Sequence, residues 1–217
     1  MTKIIGIAQL KGGTGRSTLA CNLAGELAKI GTTVLIDCDV PQGTSSSWAA
    51  LRADGVPNSS LQTETAASHR ELVEKLQQHQ GAQFIVLDGP PRLAELTRAM
   101  VILSDLCLIP VGATPADVWA TGDILELVKE ARKVKRGLKV RVVWSRHRGH
   151  LKLAQQLTSQ ATEQLSLDPL NTALSYRVAY AEALGYGLTA AETSDREARQ
   201  EVQSLVKEVI DLLERKA

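Results

Sequence analysis

The chain has 217 residues, of which 44% are apolar, enough to bury a sizeable core, and the expectation is a single domain over 1–217. A net charge of +1 gives no global drive toward nucleic acid or an anionic membrane surface. No apolar run approaches the ~20 residues that span a bilayer, Met1 leads straight into a strand-like run without room for a secretion signal, and Cys21, Cys38 and Cys107 lack C-x-x-C spacing, so reduced thiols and a cytoplasmic setting are expected.

In chain order, short apolar runs alternate with longer amphipathic stretches. Strands are expected at 3–8, 33–37, 84–88, 106–110 and 139–144. Helices are expected at 17–30, 68–79, 93–104, 115–134, 150–164 and 194–215. Gly31, Gly81 and Gly137 fall just past three of them, where a C-terminal cap favours positive φ. Residues 55–65 are polar and contain Pro57, and read as a surface loop with room for one short edge strand. The alternation predicts an α/β fold, a mainly parallel twisted sheet with helices on both faces.

The segment Lys11-Gly12-Gly13-Thr14-Gly15-Arg16-Ser17-Thr18 joins the first strand to the first helix. Its glycines permit positive φ and a close phosphate approach, so that N–H groups converge on an anion at a helix N-terminus. Ser17 is then the expected Mg²⁺ ligand. The ordinary phosphate-loop pattern G-x-x-x-x-G-K-[ST] is not met, because Leu10 replaces its first glycine and Arg16 its lysine.

A lysine directly before the double glycine, in the form K-G-G-x-G-[KR]-[ST]-T, resembles the signature of the ParA/Min superfamily of dimeric ATPases, with small plasmid-partition members most similar. The resemblance implies a three-layer P-loop NTPase fold, ATP/ADP and Mg²⁺ as cofactors, and nucleotide contacts along Lys11, Gly12, Gly13, Thr14, Gly15, Arg16, Ser17 and Thr18. It also implies that Lys11 reaches the partner's nucleotide. Arginine is longer, planar and forked where lysine is a compact charge, so Arg16 in a catalytic position implies slow hydrolysis.

Further segments carry the resemblance. Asp37-Cys38-Asp39-Val40-Pro41-Gln42 is similar to the family's D-x-D-P-Q, with Val40 as an extra residue that shifts the register of Gln42. By resemblance Asp39 positions the attacking water and Asp37 holds the Mg²⁺ shell or the loop; on position alone, an Asp-x-Asp at a strand end serves as often as a cap or turn. Phe84-Ile85-Val86-Leu87-Asp88 has the form of a Walker B strand whose Asp88 holds Mg²⁺ through water, followed by Gly89-Pro90-Pro91. Ser145 and Arg146, where the family commonly has Asn, and Tyr176, in the run 174–183 that resembles the family's base-covering segment, are the candidates for base contact.

Lys129, Arg132, Lys133, Lys135, Arg136, Lys139, Arg141, Arg146 and Arg148 crowd a stretch whose only acid is Glu130. Such a field suits sequence-independent contact with double-stranded DNA phosphates, or a solvated helix end. Family resemblance favours DNA, with Arg132, Lys133, Lys135, Arg136, Arg177, Arg196 and Arg199 as candidates. The last helix carries Val202, Leu205, Val206, Val209, Leu212 and Leu213 on one stripe, but acids outnumber its bases, so it reads as core packing with no membrane partner.

The resemblance thus implies a partition ATPase: an ATP-dependent homodimer that binds DNA nonspecifically, associates with the nucleoid, and segregates or positions DNA or a protein body with an adaptor or centromere-binding protein that stimulates hydrolysis. The alternatives are a membrane-associated Min-type division-site ATPase and a P-loop metabolic enzyme of the dethiobiotin synthetase type.

Overall fold

Each apolar run of strand length pairs in parallel with its neighbours. The computed structural model describes residues 1–40, 42–55, 60–92, 94–147 and 165–215. Its strands are β1 (Lys3–Ile7), β2 (Thr33–Asp37), β3 (Leu61–Thr65), β4 (Phe84–Asp88), β5 (Leu106–Gly112) and β6 (Lys139–Ser145), in one six-stranded sheet of order β3-β2-β4-β1-β5-β6. Side chains alternate between the faces as the pleat requires. Phe84 and Val86 of β4 pack into one layer with Leu19 and Leu23, whereas Ile85 and Leu87 pack into the other with Leu72 and Met100.

Helices cover both faces. α1 (Arg16–Leu27), α2 (Thr44–Gly55), the helix Val178–Gly185 and the C-terminal helix Arg196–Glu214 supply one layer. On the other side lie α3 (His69–Gln78), α4 (Ala94–Leu103), the short α5 (Pro115–Trp119) and α6 (Gly122–Val134). The stripe on the C-terminal helix is buried at Val202, Leu205, Val209, Leu212 and Leu213, with Val206 partly buried against the same core. Among the described residues no helix is long and apolar enough to cross a membrane.

The edge strand for which 55–65 left room is β3, at residues 61–65, and three expectations change. α2 occupies a serine-rich stretch whose pattern gives no helical signal. The stretch 115–134 is two helices, α5 and α6, because Thr121 bonds back to Val118 through both its N–H (3.0 Å) and its hydroxyl (2.5 Å). Gly31 and Gly81 do not take positive φ. At Gly31 the constraint is space instead: its N–H closes an ordinary turn on Leu27 O at 3.0 Å, and an added Cβ would stand 2.1 Å from Gln83 Oε1. The expected helix 150–164 lies outside the described residues.

Candidate functional site

In a parallel sheet the strand C-termini share one edge, and here register brings the acids together. Asp37 on β2 is the direct neighbour of Asp88 on β4, which in turn pairs with Ile7 at the end of β1, where the phosphate loop begins. Gly13 (φ 73°) and Gly15 (φ 91°) take the left-handed conformation, and Gly15 caps α1. Gly12 does not use positive φ. Ser145, at the end of β6, donates to Thr14 O at 2.7 Å and clamps the loop, so its hydroxyl is engaged with backbone where a base contact was expected.

Beside the loop lies an open cavity of about 600 Å³, a size suited to a nucleotide. Residues 12–18 form one wall, with Asp39, Gln42 and Thr44 from the β2–α2 connection. Ser145, Arg146, Tyr176, Arg177 and Tyr180 form the other. The Arg146 guanidinium lies 5.7 Å from the Tyr176 ring centroid and donates to Gly13 O at 3.1 Å, so a cation and an aromatic rim the mouth together. The extra Val40 is absorbed by the turn in which Gln42 and Gly43 both donate to Asp39 O, and Gln42 still reaches the cavity.

Below the cavity floor, Asp37 and Asp88 are wholly buried and play different parts. Both Asp37 oxygens are committed: Oδ1 accepts from Asp39 N–H (3.0 Å), and Oδ2 from the Ser46 N–H (2.9 Å) and hydroxyl (2.8 Å). Of the two roles expected for Asp37, this geometry is that of holding the loop. Asp88 accepts from the Ser45 hydroxyl on Oδ2 and is also bonded by Ser17, whereas its buried Oδ1 has no hydrogen-bond partner. Burial pushes the Asp88 carboxyl up to about 6, against the Ser45 and Ser17 bonds and the charge of Arg16. Asp39, at the cavity wall, is raised by burial despite Arg16.

The orphaned Asp88 oxygen beside the Ser17 hydroxyl fits a hydrated Mg²⁺. Among the described residues no group of three or more His, Cys, Asp or Glu could hold a metal alone, so the cation would draw its remaining ligands from phosphates and water. Cys21, Cys38 and Cys107 are free and buried, and burial raises all three thiols, which leaves them inert.

Arg16 does not extend into open space. Its Nε donates to Gly89 O at 2.8 Å and Nη1 to Gln9 O (2.7 Å) and Lys11 O (2.5 Å), and burial lowers its pKa against the pull of Asp88 and Asp39. Lys11 alone of the signature residues 11–18 does not line the cavity; it turns outward to Asp117. Sequence reasoning missed Ser45, Ser46 and Asp117. Only Asp117 had a local signal, Thr114-Pro115-Ala116-Asp117 being an S/T-x-x-D helix start.

The basic candidates separate. Arg132, Lys133 and Arg136 are exposed where α6 ends, next to the first residue of β6 and so on the sheet edge opposite the cavity. Lys135 is tied to Ser104 O at 2.6 Å. Arg177, beside the cavity, is ringed by Asp195, Glu197 and Glu201, which offset its charge within the chain. Arg199 donates to the carbonyls of Ala191 and Thr193, and Arg196 is exposed at the start of the C-terminal helix.

Residues 5–190 match the family described as the CobQ/CobB/MinD/ParA nucleotide binding domain. The maintenance of carboxysome distribution protein A of Halothiobacillus neapolitanus is 31% identical over 213 residues, covering 95% of either chain. The chromosome-partitioning ATPase Soj of Thermus thermophilus is 28% identical, with 87% of each covered. Among solved structures, an ATP complex of a Cyanothece McdA variant superposes with a TM-score of 0.81 at 18% identity over 96% of both chains. The Mg-ADP complex of the septum site-determining protein MinD from Pyrococcus horikoshii gives 0.76 at 19% identity, with 99% and 98% covered.

Proposed function

Because the chain belongs to the CobQ/CobB/MinD/ParA nucleotide-binding family of ATPases, we propose that it is a ParA-type positioning ATPase built as one domain. ATP and Mg²⁺ join two copies face to face, the dimer binds double-stranded DNA without sequence preference, and an adaptor stimulates hydrolysis to release it. Asp88 and Ser17 hold the cation, Asp39 orients the attacking water, and Arg16 slows turnover because its guanidinium is spent on backbone carbonyls.

One observation carries this reading. Lys11 points away from the cavity that residues 12–18 line, which suits an ammonium serving phosphates on another copy. The Min-type membrane reading loses ground because the stripe it needs is buried in the core. A relative named for carboxysome distribution favours a protein body as cargo, with DNA as the track. The setting is cytoplasmic and nucleoid-associated.

Light scattering with and without ATP and Mg²⁺, on the parent and Lys11→Ala, tests the assignment. The parent should become dimeric and the variant should not. ATP-dependent dimers of Lys11→Ala would remove the trans role of Lys11, and DNA retention independent of ATP would remove the cycle.

A further inference from the structure

Two acids of the C-terminal helix, Glu201 and Glu208, stand seven residues apart and so share one face of it. Both reach back to residues 171–180. Glu208 Oε1 accepts from Asn171 N–H at 2.7 Å and from Asn171 Nδ2 at 3.0 Å, and its Oε2 accepts from Thr172 N–H at 3.0 Å. Glu201 Oε2 accepts from Ser175 N–H at 2.9 Å and from the Tyr180 hydroxyl at 2.6 Å, while Oε1 lies 3.7 Å from Arg177 Nε. Burial, and after it the Glu201 carboxylate, push the Tyr180 phenol up, so it stays a donor. On its other side the segment is tied to the end of β6, where His147 N–H donates to Leu174 O at 2.9 Å and Tyr176 N–H to His147 O at 3.0 Å. Ser175, Arg177 and Tyr180 line the cavity; Asn171, Thr172 and the two glutamates do not.

We infer that Glu201 is a positioning residue for the nucleobase, an assignment that rests on the nucleotide reading of the cavity and on the base meeting residues 174–180. From outside the cavity, one carboxylate sets the wall. Ser175, Arg177 and Tyr180 each present a group to it, and its own side chain is 18% exposed. A charged acceptor shared by a backbone N–H, a phenol and a guanidinium ties three points of the wall together. Without that charge, the Ser175 N–H and the Tyr180 hydroxyl lose their acceptor. Arg177, whose buried Nε has no hydrogen-bond partner, is then left to Asp195 and Glu197 through its terminal nitrogens. The wall loosens where a flat ring would lie, whereas the phosphate loop, fastened by Ser145 and Arg16, does not. Glu208 supplies the contrast, because it makes the same kind of bond to residues outside the cavity.

Calorimetric titration of the full chain in Mg²⁺ tests this with ADP and pyrophosphate, two ligands that share a diphosphate and differ in the nucleoside, and neither of which calls on hydrolysis or the ATP-bound dimer. The parent should bind ADP more tightly than pyrophosphate. Glu201→Ala should weaken ADP roughly tenfold, the loss of about one charged hydrogen bond, and leave pyrophosphate within about twofold. Glu201→Gln keeps an oxygen for Ser175 and Tyr180 and should lose roughly threefold for ADP alone, so it carries the test if the alanine variant folds poorly. Glu208→Ala should lower the Tm and preserve the ratio of the two affinities. Equal losses for both ligands, or a parental ratio in the Glu201 variants, overturn the positioning role. So does a ratio that falls as far in Glu208→Ala, since general loosening would then account for both glutamates. A parent that binds ADP no better than pyrophosphate removes residues 174–180 as the wall for the base, and the role of Glu201 falls with it.

Discussion

Arg16 Nε donates to the carbonyl of Gly89 at 2.8 Å, which fastens the phosphate loop to the segment leaving the Asp88 strand. With Nη1 on Gln9 and Lys11, one guanidinium satisfies three carbonyls from two strand ends. A lysine has a single nitrogen and cannot match that fork, but its ammonium swings free toward a phosphate. Arg16→Lys should therefore raise the single-turnover rate of ATP hydrolysis on the order of tenfold while lowering the Tm by a few degrees. Quench-flow rates beside thermal melts check both, and an equal or slower lysine variant would show a pocket adapted to arginine.

Asp88 links the site to stability. Its folded value of about 6 lies above the usual 3.8, so the stability it contributes is complete below about pH 4 and is lost as pH rises through 6. Asp88→Asn should stabilise the nucleotide-free chain at pH 7 by up to about 3 kcal/mol and abolish tightening of ATP binding by Mg²⁺. Denaturant melts between pH 4 and 8 decide the point. A variant with the parental profile would assign that slope to other groups.

Arg52 and Glu192 behave in the opposite sense. Buried Arg52 donates Nη1 to Oε2 at 2.8 Å and Nη2 to Oε1 at 2.9 Å. Burial alone would raise Glu192, but the Arg52 and Thr189 bonds outweigh it and bring its pKa down to about 2. A depressed folded value means stability present above about pH 4.5 and lost as pH falls through 2. Arg52→Met should cost about 3–5 kcal/mol at pH 7, since the carboxylate stays without its partner, and should flatten the acid side of the stability profile. Urea melts at pH 7 and pH 3 give both numbers, and a loss under about 1 kcal/mol at pH 7 would place the pair among the weak surface bridges instead.

Exposed cations at the end of α6 are the better candidates for DNA. Charge reversal at Arg132, Lys133 and Arg136 should weaken ATP-dependent DNA retention and lower the log–log salt slope by about one for each phosphate no longer neutralised. Arg177→Glu should instead disturb the Asp195–Glu197–Glu201 cluster and the cavity rim, with a lower Tm and no change of slope. Filter binding across a salt series separates the two. Retention unchanged by the triple reversal would leave that edge as solvated surface.

Much of the molecule was legible in the chain itself. The glycine spacing from Gly12 to Gly15, the strand runs and the acid closing 84–88 are local patterns, and the physics behind them, positive φ, the two-residue pleat and an anion at a helix start, is also local. What escaped depended on partners far apart in sequence. The edge strand for which 55–65 left room takes its bounds, 61–65, from the parallel ladder that β2 offers it. Asp37 and Asp88 have different tasks only because sheet register brings both to α2, where Ser46 occupies one and Ser45 the other. Arg177 looks like a free cation until the start of the C-terminal helix surrounds it with acids. Lys11 belongs to the signature by its place before two glycines, but where its ammonium rests was decided by Asp117, which only the parallel crossover after β5 sets beside it.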